Sequence, residues 1–163
     1  MDEKVCGNAG HSLSNLRSVI LAEWETLVRG VISSSRHESR MILLDHMPII
    51  LDQLLLLMKE GEVDEEELGK KHGYFRLTMT DFSLADVLTE YSLLREVLIN
   101  YLYPLGDIQC AKLVHKYLDI LLKHSVIEYM NTQIVHRSLS IESLGSEKQE
   151  ILQNPVIPTS GLS

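Results

Sequence analysis

From residue 13 onward, apolar residues recur at intervals of three and four along most of the chain, the pattern of helices that each bury one face. Leu16, Val19, Ile20, Trp24, Leu27, Val28 and Val31 form a first stripe, and Ser14 stands where an N-cap belongs, so a helix is predicted from Ser14 to about Ser35. The polar run SSSRHES interrupts it. Ser39 opens a short turn of helix that stops before Pro48. A residue preceding proline disfavours the helical region, so Pro48 belongs to the first turn of the next helix. That helix, PIILDQLLLLMKEG, is apolar almost all round, as a helix with two buried faces would be, and Gly61 ends it.

Asp64 caps a third helix, with Glu65, Glu66 and Glu67 in the first turn where the helix dipole favours acid, and it runs to about Thr80. Ser83 with Asp86 three later is a capping box for a fourth helix. Its stripe is Val87, Leu88, Tyr91, Leu94, Leu98 and Tyr101, and YPLGD stops it. A fifth helix starts near Asp107 and runs to about Arg137. Along it Leu113, Tyr117, Ile120, His124, Ile127, Asn131 and Ile134 alternate at four and three, a heptad seam. Val114, Leu118 and Leu121 add a second apolar stripe in the first half only, so that half is expected in the core and the second half as a narrower seam leaving the domain. No strand-like alternation and no internal repeat appears. The expectation is an all-α fold: a single bundle of five to six helices with a long C-terminal helix. A flexible arm is expected over 1–12, the helical domain over 13–137, and a linker or disordered tail over 138–163.

Composition narrows the functions. The 163 residues carry a net charge of −8, which argues against a nucleic-acid footprint or an anionic membrane surface as partner. The longest apolar block, Met47 to Met58, is interrupted by Pro48, Asp52 and Gln53 and is too short to span a bilayer. Cys6 and Cys110 lie far apart without a partner motif; they suit a reducing compartment and neither reads as a zinc ligand. With no apolar signal core in MDEKVCGNAGHS, the expected location is cytoplasmic.

Catalytic patterns are missing. The sequence has no glycine-rich phosphate loop, no GxSxG, no HExxH and no Asp-rich calcium loop. None of its seven histidines has another four residues away, so no histidine metal centre is expected. Cys110 and His115 are five apart, on different faces of a helix. An enzyme is not expected, and neither is a cofactor. A haem held through His72 or His124 is the rival, against the simpler reading of both as hydrogen-bonded core or seam histidines.

The stretch HGYFR, residues 72–76, concentrates polar groups inside the third helix. At about 100° per residue, Leu68, His72, Phe75 and Met79 share a face and Arg76 sits at its edge. On the fourth helix Glu90 and Arg95 flank the stripe on opposite sides, about 140° apart, with Tyr91 inside it. A short turn joins the two helices, so they are expected as antiparallel neighbours, with Glu90 meeting His72 or Arg76. Two readings follow: a buried ion pair that fixes helix register, with Gly73 allowing close approach, or a convergence of polar groups on a small ligand. The structural one is favoured, because ion-pair networks mimic sites.

The order WETLVRG … LLDHMPIILDQL … KKHGYFRLTMTDFSLADVLTEYSLLREVL resembles the N-terminal sensory domain of RsbR-type stressosome proteins, the RsbRD-like input domain that also precedes many bacterial sensor histidine kinases. The likeness covers about Leu16 to Arg137 and rests on His72, Gly73 and Arg76, on Glu90, Tyr91, Leu94 and Arg95, and on Trp24, Asp45 and Pro48. It implies a globin-like helical domain without haem, dimeric, that passes an unidentified signal to a C-terminal output domain. His72, Arg76, Glu90, Tyr91 and Arg95 would then be the signal or structural polar cluster, and Ile120, His124, Ile127, Asn131 and Ile134 the seam of a homodimer. Neither a STAS domain nor a kinase region is in the sequence, which leaves two expectations: a linker into an output domain after Arg137, or a stand-alone sensor.

Overall fold

A computed structural model describes residues 6–61, 63–79 and 81–153. All of its regular elements are helical: α1 Gly7–Asn15, α2 Arg17–Val31, α3 Arg40–Leu44, α4 Met47–Glu60, α5 Glu65–Thr78, α6 Leu84–Leu102 and α7 Ile108–Gln153, with 3₁₀ turns at Ser33–His37 and Tyr103–Leu105. The fold is all-α. Of the described residues, those up to Tyr129 form one compact unit and those from Met130 a second.

The helix ends follow the local chemistry. Ser39 Oγ accepts from Ile42 N at 3.3 Å and starts α3. Asp64 accepts from Glu67 N at 3.2 Å and starts α5. The Ser83–Asp86 capping box is complete, and Pro48 sits in the first turn of α4. Gly61 closes α4 at φ 90°, a conformation that disfavours a β-carbon.

Trp24 and Val28 of α2, Ile50, Leu51 and Leu54 of α4, Tyr91, Leu94 and Leu98 of α6, and Val114, Tyr117 and Leu121 of α7 are buried together. Tyr117 Oη donates to Ile50 O at 2.8 Å, joining α7 to α4. The stretch Arg40–Glu60 is apolar enough to be weighed as a membrane span. It is broken at Asp45, where φ is 36°. The 14 residues of α4 then cover about 21 Å, short of a hydrocarbon core of about 30 Å, and six of them are buried.

Three expectations are corrected here. Residues 7–12 are the start of α1, not a loose arm, and Cys6, Ala9 and Leu13 are buried. The segment GNAG carries too little apolar area to show periodicity, yet its small residues let α1 lie close on α4: a β-carbon on Gly10 would be 3.4 Å from Met58 Cβ. Helix α2 starts after a break at Leu16, so Ser14 is inside α1 and caps nothing. Cys6 and Cys110 are not separate thiols: they form a disulfide with a Cα–Cα distance of 5.6 Å across a separation of 104 residues. Tertiary packing brings them together, which spacing alone cannot reveal.

Helix α7 continues past Arg137 to Gln153, where a linker or disordered tail was expected. Leu, Ile, Glu, Lys and Gln in that stretch are adequate helix formers, and the first proline after it is Pro155. The remainder of the expected tail, 154–163, lies outside the described residues.

Candidate functional site

The buried side of α5 is built from Leu68, Gly69, His72, Gly73 and Arg76. Phe75 and Met79 are only half-buried, so the buried face is turned toward the glycines, and Arg76 is wholly buried instead of standing at an edge.

Arg76 is the hub. Its Nε donates to Glu90 Oε2 at 2.9 Å, and Nη2 lies 2.8 Å from Glu90 Oε1. The same guanidinium donates to Leu43 O at 2.7 Å and Ile42 O at 3.3 Å, satisfying carbonyls that the end of α3 leaves unpaired. It also stacks over the Phe82 ring at 4.9 Å. Glu90 is fixed from behind, since Trp24 Nε1 donates to its main-chain oxygen at 3.1 Å. A buried arginine with one hydrogen bond and a second close ionic contact to its carboxylate, and with two carbonyls besides, is a fully employed group.

His72 is not fully employed. Its Nε2 is 3.3 Å from Glu90 Oε2 and its Nδ1 is 3.8 Å from Asp45 Oδ2, yet neither nitrogen has a well-formed hydrogen bond. The ring has no solvent exposure. His46 Nδ1 contacts Asp45 Oδ2, and the His46 ring stands edge-on to His72 with centroids 6.1 Å apart. Burial alone would raise Asp45, but the nearby His46 and His72 imidazoles outweigh it and hold the carboxyl well below the usual carboxylate range.

Tyr91 connects this cluster to α7. Its ring is edge-on to His72 at 5.5 Å, and its hydroxyl is 2.8 Å from Ser125 Oγ, which donates to Gly69 O at 2.8 Å. Burial pushes the Tyr91 phenol above its ordinary range, against the opposing effect of its hydrogen bond with Ser125.

Of the cluster expected from sequence, His72, Arg76, Glu90 and Tyr91 come together. Arg95 does not: it pairs with Asp119 of α7 on the surface side of the helix, as its position across the stripe from Glu90 requires. In the expected seam, Ile120 and His124 are half-buried, Asn131 is exposed, and Ile127 and Ile134 are 43% and 60% exposed. Sequence reasoning missed His46, Ser125 and Gly69 and gave Asp45 no role in the cluster. The Gly69–Gly73 spacing of four was a legible signal for a close helix contact. His46 and Ser125 had none. The pocket between α1 and α4, lined by Gly10, His11, Asp52, Leu55 and Met58 among others, contains none of the cluster residues. Chemistry, not concavity, marks the cluster as the site. Comparison with protein-family models, with curated proteins and with solved structures finds no match.

Proposed function

We propose that the chain is a non-catalytic, cytoplasmic input domain of a bacterial signal-transduction protein, of the kind that precedes RsbR-type regulators or sensor histidine kinases. In this reading the domain is globin-like without haem, forms a homodimer, and relays its signal along the C-terminal helix to an output domain. One observation supports it above the others: the Tyr91 ring packs edge-on against His72 of the buried His72–Arg76–Glu90 cluster, and its hydroxyl hydrogen-bonds Ser125 of α7, the helix that carries the exposed Ile127 and Ile134. A change around His72 has a physical route to a helix with apolar positions left for a partner. Seam positions Ile120, His124, Ile127, Asn131 and Ile134 recur at four and three, the spacing that pairs parallel helices, and a polar Asn131 at the seam sets register.

Light scattering coupled to size exclusion tests it. The wild-type chain elutes as a dimer, and Ile127→Glu with Ile134→Glu elutes as a monomer with unchanged helix content. A monomeric wild type at tens of micromolar ends the dimeric relay. Another reading, a stand-alone module that docks a partner on the apolar helix α4, has less support, because Ile50, Leu51, Leu54, Leu57 and Met58 face inward and Ile49 alone of its large apolar residues is strongly exposed. A haem sensor through His72 meets carboxylates near both ring nitrogens.

The Cys6–Cys110 disulfide favours a second reading of location, an oxidising compartment, since such bonds are rare in the cytosol. Thiol counting on chain recovered under alkylating conditions separates the two: two reactive thiols support the cytoplasm, none supports the alternative.

A further inference from the structure

We propose that Asp45, His46 and His72 bind one divalent transition-metal ion of the zinc class, with Glu90 orienting His72 from behind. The inference goes beyond the signalling reading and does not rest on it.

The three residues each offer one ligand atom, and these atoms lie within 4.8 Å of one another. Zinc holds nitrogen and oxygen ligands at about 2.0–2.2 Å, so tetrahedral ligand atoms stand roughly 3.3–3.6 Å apart. Closing the present spacing onto an ion asks for shifts on the order of 1 Å, with the direct Asp45–His46 contact giving way to two bonds to the ion. Two imidazoles and a carboxylate are the ligand set that borderline divalent ions take.

His72 carries the case. A buried ring with both nitrogens lacking a formed hydrogen bond is a group built for a partner. Its Nδ1 lies 3.8 Å from Asp45 Oδ2, while its Nε2 faces Glu90 Oε2 at 3.3 Å. That is the arrangement of a metal-bound histidine whose second nitrogen donates to a carboxylate, which fixes the tautomer and aims the free lone pair at the ion. Glu90 is itself held by Arg76. The charges agree: Arg76 matches Glu90, whereas the ionic contacts of Asp45 are with the two histidines alone among the described residues. Access exists as well, because the side chains of Asp45 and His46 keep 14% and 20% of their exposure while His72 has none. Water would complete the shell from that side, leaving an exchangeable ion. No histidine pair on one helix was needed: consecutive residues at the α3–α4 break, where Asp45 has φ 36°, meet a third from α5.

The test uses the full chain, stripped with a chelator and titrated with Co²⁺, read by visible d–d absorption, then competed with Zn²⁺. One Co²⁺ per chain binds with tetrahedral or five-coordinate intensity, and Zn²⁺ displaces it. His46→Ala and Asp45→Asn each weaken binding at least about tenfold with far-UV circular dichroism unchanged. The proposal is overturned if the wild type shows no saturable one-to-one binding, or if either folded variant keeps wild-type affinity, which would place the ion on surface histidines. Asp45→Asn conserves shape, so it answers the question should His46→Ala fail to fold. Cobalt absorption is read on monomer or dimer alike, so loss of the dimer and loss of the ion are separate results.

Discussion

Helix α5 has two buried faces of opposite character. Toward α7 it presents Gly69 and Gly73, and the helices approach until a β-carbon on Gly73 would stand 2.1 Å from Ser125 O. Toward α6 it presents Arg76 and His72, which reach Glu90 at 2.9 and 3.3 Å. One face works by having no side chain and cannot accept an added atom. The other works by complementary polar groups and cannot lose a partner. Between them they fix α5 in rotation as well as distance, since the glycines set how near α7 lies and the ion pair sets which way the helix is turned.

The polar face is the more fragile to substitution. Arg76→Ala leaves Glu90 buried without its cation and strips the carbonyls of Ile42 and Leu43 of their donor. Removing one partner of a buried pair costs about 3–5 kcal/mol, a large share of a domain's total stability. The urea midpoint of Arg76→Ala should fall accordingly. Arg76→Met combined with Glu90→Leu should recover much of the loss, because no lone charge remains. A shift under about 1 kcal/mol in the single variant would mean that water reaches Glu90 and that the two faces differ less than their burial indicates.

The glycine face should respond next. Alanine restores about 1 kcal/mol of helix propensity, while overpacking costs typically 1–3 kcal/mol and sometimes more. At Gly73 the obstacle is backbone on three sides, Ser125 O, Cα and C, at 2.1 to 2.8 Å, so Gly73→Ala should lose about 2 kcal/mol or more net. At Gly69 the nearest atoms are Leu121 O at 2.7 Å and His124 Cβ at 2.9 Å, and the loss should be smaller. Thermal melts of the two variants give the order. A Gly73→Ala chain as stable as wild type would show that α5 can stand off α7.

These two faces were not equally legible. Helical periodicity, caps and the Gly61 stop were local chemistry, and the helices formed where Ser39, Asp64 and the Ser83–Asp86 box directed. The pairing of Arg76 with Glu90 followed from a short turn and a shared face. The direction of Gly73 did not: a glycine at helical spacing signals closeness without naming the neighbour, and the expected neighbour was α6 when α7 is the one in contact. The place of Asp45 and His46 in the cluster stayed invisible because a non-glycine residue at φ 36° leaves no periodic trace. Cys6 and Cys110 meet only once α1 has packed, and α1 itself was hidden by its small residues.

Tyr91 touches both sides of the comparison, edge-on to His72 and bonded to Ser125 beside the glycines. Tyr91→Phe keeps the ring and removes one buried hydrogen bond, and Ser125 still donates to Gly69, so the loss should be about 0.5–1.5 kcal/mol. Alkaline pH sharpens the point. Burial raises the phenols of Tyr91 and Tyr117 in the folded chain, whereas in the unfolded chain a tyrosine titrates near its ordinary value of about 10. Below that pH both states hold the proton and stability is unaffected; above it the unfolded chain releases protons that the folded chain keeps, and stability falls by about 1.4 kcal/mol per pH unit for each such tyrosine. Urea titrations between neutral pH and pH 11 should therefore show a decline that Tyr91→Phe lessens by one tyrosine's share. An unchanged slope in that variant would mean that Tyr91 ionises freely in the folded chain, and that the contact between the charged cluster and α7 opens to water.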